Sequence, residues 1–133
     1  MNEIQQGDIF WVDIPAQQTE GSEQYGRRPF VVMSRHAVNK GKTVVVVPLT
    51  TFNQKIQDAN VLASQPPYCI VVPTSEITKD VSCQSQLSLC VAKTDQVRVV
   101  DKSRLQTHNR IGRLSQTAIL SISVGLAYVF DIR

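Results

Sequence analysis

The chain predicts a small α+β domain dominated by β-structure: a strongly bent sheet or barrel with one helix packed on it at the C-terminal end. Three observations lead there. Short apolar, β-branched runs bounded by turn residues recur from Ile9 to Val100. Beyond Ser115 the apolar spacing changes to steps of three and four residues. The length, 133 residues, is that of a single domain spanning 1–133, long enough to bury a core.

The first strand is Ile9 to Ile14, entered through Gly7-Asp8 and stopped by Pro15. Ala16 to Arg28 is polar, carries Gly21 and Gly26, and lacks helical periodicity, so it reads as a long loop of the kind that carries function. Phe30 to Ser34 is a second strand and Thr43 to Leu49 a third, with four consecutive valines marking burial on both faces. His36 to Lys42 between them is a basic connection. Weaker strands are expected at Asn60–Ala63, Cys69–Val72, Leu87–Ala92 and Gln96–Val100, with a helical turn at Asp101–Leu105. Ser115 suits a helix N-cap, and Ile119, Ile122, Leu126 and Val129 form a stripe, predicting a helix from Gln116 to about Leu126.

Composition excludes several classes. No apolar stretch approaches the roughly 20 residues of a membrane span. The N-terminus lacks a signal pattern, and three cysteines cannot all pair within the chain, so a reduced cytoplasmic setting is expected. Cys69, Cys83 and Cys90 fit no zinc framework or C-x-x-C redox pair, and neither a metal nor another cofactor is expected. Phosphate-loop, serine-hydrolase and zinc-protease motifs are missing from the sequence. His36 and His108 lie far apart, which argues against a histidine-pair nuclease. From Lys93 onward seven Lys or Arg face three Asp or Glu, a basic bias that suits an acidic partner or nucleic acid as well as an ordinary solvated surface.

The stretch GRRPFVV, residues 26 to 32, sets arginines at a strand entrance. A guanidinium fork beside a rigid backbone suits an oxyanion. If the second and third strands are antiparallel neighbours, Arg28 comes to lie beside Thr50, and an anion pocket results. Each residue also has an ordinary reading: Arg28 as a surface ion-pair partner of Glu23 or Asp95, Thr50 and Thr51 as backbone-bonded hydroxyls, Trp11 as core.

Four blocks in order carry a resemblance. They are Gly7-Asp8-Ile9-Phe10-Trp11-Val12-Asp13; Gly21-Ser22-Glu23-Gln24 with Gly26-x-Arg28-Pro29; Val47-Pro48-x-Thr50-Thr51; and Asp95-Gln96-Val97-Arg98-x-x-Asp101-Lys102-Ser103-Arg104-Leu105. Together they resemble the MazF/PemK (Kid) toxins of bacterial type II toxin–antitoxin modules. The resemblance implies an SH3-like β-barrel of the MazF/Kid/CcdB kind with a C-terminal α-helix, a homodimer, and sequence-specific, ribosome-independent cleavage of single-stranded RNA. It implies a MazE-like antitoxin partner that covers the groove with an acidic, initially disordered segment.

Carried over by position, Arg28 matches the arginine at the scissile phosphate and Thr50 the active-site threonine. Glu23 and Gln24 match the loop lining the RNA groove, Asp95 an acidic position, and Lys93 stands where some members have arginine. Tyr25 and Phe52 are candidate stacking surfaces, while Arg27, Thr51 and Gln96 complete the expected RNA contacts. The chain is longer than the family pattern between Val61 and Val91. The implied chemistry needs no metal: the 2′-hydroxyl attacks, Glu23 or Asp95 takes its proton, and Arg28 steadies the phosphorane, leaving a 2′,3′-cyclic phosphate and a 5′-hydroxyl. The alternative is a CcdB-like toxin that binds DNA gyrase without catalysis; that family relies on an apolar end with a tryptophan, whereas this chain's only tryptophan is Trp11.

Overall fold

The computed structural model describes residues 3–21, 26–51, 65–79, 89–105 and 110–132. Within them eight strands are ordered by chain as β1 (Asp8–Ile14), β2 (Gly26–Val32), β3 (Thr43–Thr51), β4 (Cys69–Val72), β5 (Ile77–Lys79), β6 (Cys90–Lys93), β7 (Arg98–Asp101) and β8 (Arg110–Leu114). A one-turn helix α1 (His36–Asn39) joins β2 to β3, and α2 (Gln116–Val129) closes the described chain. Every pairing is antiparallel, in the order β4-β6-β3-β2-β1-β8-β5. The path branches at β3, whose Thr43–Val46 half pairs with β7 and whose Leu49–Thr51 half pairs with β6. This branching curls the sheet into a half-barrel.

The continuous apolar runs of β1 to β3 follow from burial on both faces. Ile9, Val31, Val47 and Leu49 point to one side, where Ala118, Ile119 and Ile122 of α2 pack. Phe10, Val12, Ile14, Phe30, Val32, Val44 and Val46 point to the other, closed by Val100 and Leu105. Strand alternation thus assigns each residue of β2 and β3 to a face, which matters for the site below.

Several boundaries differ from the sequence expectation. Strand β2 starts at Gly26 rather than after Arg28, because Gly26, Arg27 and Arg28 pair with Ile14, Asp13 and Val12. A 3-10 turn also occupies Ala16–Gln18 of the expected loop. The strand expected at Gln96–Val100 begins at Arg98, since Thr94–Gln96 forms a 3-10 turn. Two strands were not expected. Strand β5 is only three residues long, and β8, Arg110-Ile111-Gly112-Arg113-Leu114, mixes charge with glycine. Gly112 is required there: a Cβ would stand 2.5 Å from the Thr78 carbonyl oxygen. The strand expected at Asn60–Ala63 lies outside the described residues.

Helix α2 is capped as its sequence predicts, the Ser115 hydroxyl accepting from the Ala118 N–H at 3.1 Å while it also bonds the Glu76 carboxylate. It runs past Leu126 to Val129. Ser121 and Ser123, poor helix formers, return their hydroxyls to the carbonyls of Thr117 and Ile119 and so fit the helix. No described helix is long and apolar enough to cross a membrane.

Asp8, buried on β1, accepts from Arg113 Nε at 2.9 Å and from the Gln5 N–H at 2.9 Å, with Arg110 at 3.7 Å. The Gly-Asp pair that opens the first strand is therefore an internal ionic anchor between β1 and β8 as well as a turn.

Candidate nucleic-acid interface

The register of β2 and β3 pairs Phe30 with Pro48 and Val32 with Val46. Carried two residues further, it sets Arg28 opposite Thr50. Both lie on the face of Phe30 and Val46, so their side chains leave the sheet together. On β6, Thr50 pairs with Val91, and Lys93, two residues on, shares that face; Cys69 of β4 stands opposite Lys93. One face of four adjacent strands thus presents Arg28, Thr50, Lys93 and Cys69.

The Thr50 hydroxyl oxygen is buried and has no hydrogen-bond partner among the described residues. A buried hydroxyl left unpaired costs about 1–3 kcal/mol, a cost that an oxygen or N–H brought from outside would offset.

The 3-10 turn Thr94–Gln96 follows Lys93 and is anchored from beneath. Thr94, fully buried, gives both its hydroxyl (2.6 Å) and its N–H (3.0 Å) to the Tyr68 carbonyl. Asp95 is thereby left exposed at the turn, and Gln96 half-buried. The Cys69 thiol is pushed up from its ordinary pKa, first by burial and then by the Asp95 charge, with Lys93 acting in the opposite direction. All three lie close enough to sense one another.

Not every residue expected at the site converges there. Arg27 pairs with Asp13 on the opposite face, its guanidinium 4.9 Å from the Trp11 ring centre in a cation–π contact. Thr51 continues β3 opposite Cys90. Glu23, Gln24, Tyr25 and Phe52 lie outside the described residues, as does His108. His36 opens α1, exposed. Among the described residues no group of three His, Cys, Asp or Glu gathers as a metal site.

The sequence matches one family along residues 5–130, the PemK-like, MazF-like toxins of type II toxin–antitoxin systems. The chain belongs to that family. No curated protein sequence is significantly similar to the toxin, but its fold is shared by solved structures. It is similar to MazF from Deinococcus radiodurans (TM-score 0.71, 19% identity, 99% of this chain and 100% of that one). An endoribonuclease in complex with its cognate antitoxin from a mycobacterial species also resembles it (TM-score 0.64, 18% identity, 97% and 96% covered). So does a MazE–MazF complex from D. radiodurans (TM-score 0.66, 19% identity, 100% of each chain).

Two features beside these residues escaped the sequence reading. One is the Thr94 anchor, which needed the contact between β4 and the turn. The other is Arg98, on the same face as Arg28, considered below.

Proposed function

We propose that this toxin is a sequence-specific, metal-independent and ribosome-independent endoribonuclease acting on single-stranded RNA. One observation carries the reading: a buried hydroxyl without a partner among the described residues, Thr50, on the same sheet face as Arg28 and two residues beyond the Phe30–Pro48 pair. A phosphate seated between them would receive the Thr50 O–H and the Arg28 guanidinium as charge-assisted hydrogen bonds. The family membership and the endoribonucleases that share the fold support the same conclusion.

RNA brings its own nucleophile. The 2′-oxygen forms a bond to phosphorus as its proton passes to a carboxylate, Asp95 or Glu23. The phosphorane's charge gathers on oxygens facing Arg28 and Thr50, and the bond from phosphorus to the 5′-oxygen breaks. The products are a 2′,3′-cyclic phosphate and a 5′-hydroxyl that takes up a proton. Lys93 and the 93–96 turn, with Gln96, flank the phosphate, and Gln24, Tyr25, Thr51 and Phe52 complete the base-holding groove. Arg27, committed to Trp11 on the other face, is left out of this groove.

We also propose that the toxin works in the cytoplasm as a homodimer held in check by a MazE-like antitoxin. Leu120, Val124 and Tyr128 form an exposed apolar stripe on α2, continued by Phe130 and Ile132, which suits a protein surface. The gyrase-binding alternative gains no support, since it gives Arg28 and Thr50 no reason to share a face. Incubation of a long single-stranded RNA with the toxin in EDTA, beside Arg28→Ala, tests the proposal. Cuts at one short sequence with cyclic phosphate ends, lost in the folded variant, are expected; uncut RNA would overturn it.

A further inference from the structure

We propose that Arg98 is a second phosphate-binding residue, gripping the RNA backbone away from the scissile bond on the side toward the amino end of β3. The inference rests on the endoribonuclease reading and extends its site. Arg98 pairs with Val46 just as Val100 pairs with Val44, and Val44, Val46 and Val100 all belong to the core cluster beneath that face. The Arg98 stem therefore leaves the sheet on the side of Arg28 and Thr50, while Val99 and Asp101 turn the other way.

Along β3 this face reads Val46, Pro48, Thr50, and the flanking cations fall in the same order. Arg98 stands beside Val46. Lys93 stands beside Pro48 when the Leu49–Ala92 register is carried one residue on. Arg28 stands beside Thr50. Measured along β3, each step is two strand residues, about 7 Å, and the step from Lys93 to Arg28 also crosses from one edge of β3 to the other. A stacked nucleic-acid strand rises about 3.4 Å per nucleotide, so the step covers about two stacked nucleotides, and fewer where bases are splayed apart. The three cations thus form a staggered row, Lys93 and Arg98 along one edge of β3 and Arg28 across it on the other, that the backbone of a single strand crossing this face would follow.

The surroundings of Arg98 point the same way. Other arginines of the toxin are committed: Arg113 to Asp8, Arg104 to Gln18, Arg27 to Trp11. Arg98 is half-buried and has no carboxylate partner among the described residues. With its stem packed on the sheet and its guanidinium lacking a carboxylate partner among the described residues, Arg98 keeps a donor fork available for a phosphate oxygen.

The test is binding of a mixed-sequence 2′-fluoro RNA strand, which lacks the nucleophile and survives intact, followed by fluorescence anisotropy across a salt series. Arg98→Gln and Arg98→Met, two neutral replacements of which the second keeps the stem packing, are each expected to weaken binding about tenfold, the loss of one charge-assisted hydrogen bond. The slope of log K against log salt should become shallower by about 0.7, one phosphate on a single strand. Arg98→Lys should keep the slope, and Lys40→Ala, at an exposed turn, should match the wild type. Unchanged slopes in both neutral variants, with a shallower slope in Arg28→Gln, would overturn the role of Arg98 alone. Failure of the wild type to bind RNA, or indifference to Arg28→Gln as well, would overturn the nuclease reading and this inference with it.

Discussion

Gly125, midway along α2, lies against Thr94: a methyl group at 125 would stand 2.9 Å from Thr94 Cγ2 and 3.0 Å from Ile70 Cγ1. The glycine that weakens the helix is what lets the helix seat the turn that follows Lys93 and carries Asp95. Nearby, Tyr128 stacks on Tyr68 at 6.4 Å, the residue whose carbonyl holds Thr94.

Gly125→Ala sets two effects against each other. Helix propensity gains about 1 kcal/mol. Overpacking costs about 1–3 kcal/mol, because Thr94 is itself fixed by two hydrogen bonds and cannot yield freely. A net destabilisation of about 1 kcal/mol is expected in urea unfolding. RNA cleavage should fall with it, through displacement of the turn. A variant more stable than wild type with full cleavage would show that the contact is slack.

The Asp8 anchor predicts an asymmetry. Asp8 is 1% exposed, whereas the side chains of Arg113 and Arg110 are 44% and 29% exposed. Arg113→Ala leaves a buried carboxylate short of its nearest cation and should cost about 3 kcal/mol, the low end for a broken buried pair. Asp8→Asn leaves cations that water reaches, and about 1–2 kcal/mol is expected. Urea midpoints of the two variants give the comparison, and equal losses would contradict the burial argument.

Cys69 reports on the electrostatics beside Lys93 and Asp95. Its thiol pKa is raised by burial, then by Asp95. Because the neutral thiol is the favoured form, its stabilising effect is present below the unfolded pKa and is lost as pH rises through the higher folded value. Alkylation of Cys69 should therefore follow a pH profile displaced upward from that of a free thiol. Asp95→Asn should move the profile down, since a repulsive charge is gone, and Lys93→Ala should move it up. Iodoacetamide rates read by mass spectrometry at Cys69 test both signs.

How legible the site was depended on which contacts were local. The meeting of Arg28 and Thr50 followed from a short β2–β3 connection and the apolar alternation of both strands, information contained within residues 28–50. Arg27 misled because it is adjacent to Arg28 in sequence, and only the start of β2 at Gly26 puts neighbours on opposite faces. Arg98 was hidden because nothing in β7 declares which strand it will join. Asp8 looked like a turn residue, since its cationic partners lie more than a hundred positions away on β8, a strand whose arginines and glycine give no apolar alternation.

Thr50→Val separates the two roles a threonine with a buried hydroxyl can have. The hydroxyl oxygen is buried without a partner among the described residues, so replacing it by a methyl group of similar size removes an unsatisfied polar atom. Stability should be unchanged or rise by about 1 kcal/mol. Cleavage should fall about 10²-fold if the hydroxyl meets the transition-state charge, by analogy with the loss of a preorganised oxyanion donor. Thr50→Ser, which keeps the hydroxyl, should recover most of the rate. This opposition of stability and activity distinguishes a waiting ligand group from a structural one: a Thr50→Val protein that is less stable yet cleaves normally would mean that the hydroxyl serves the sheet and that the phosphate is held elsewhere.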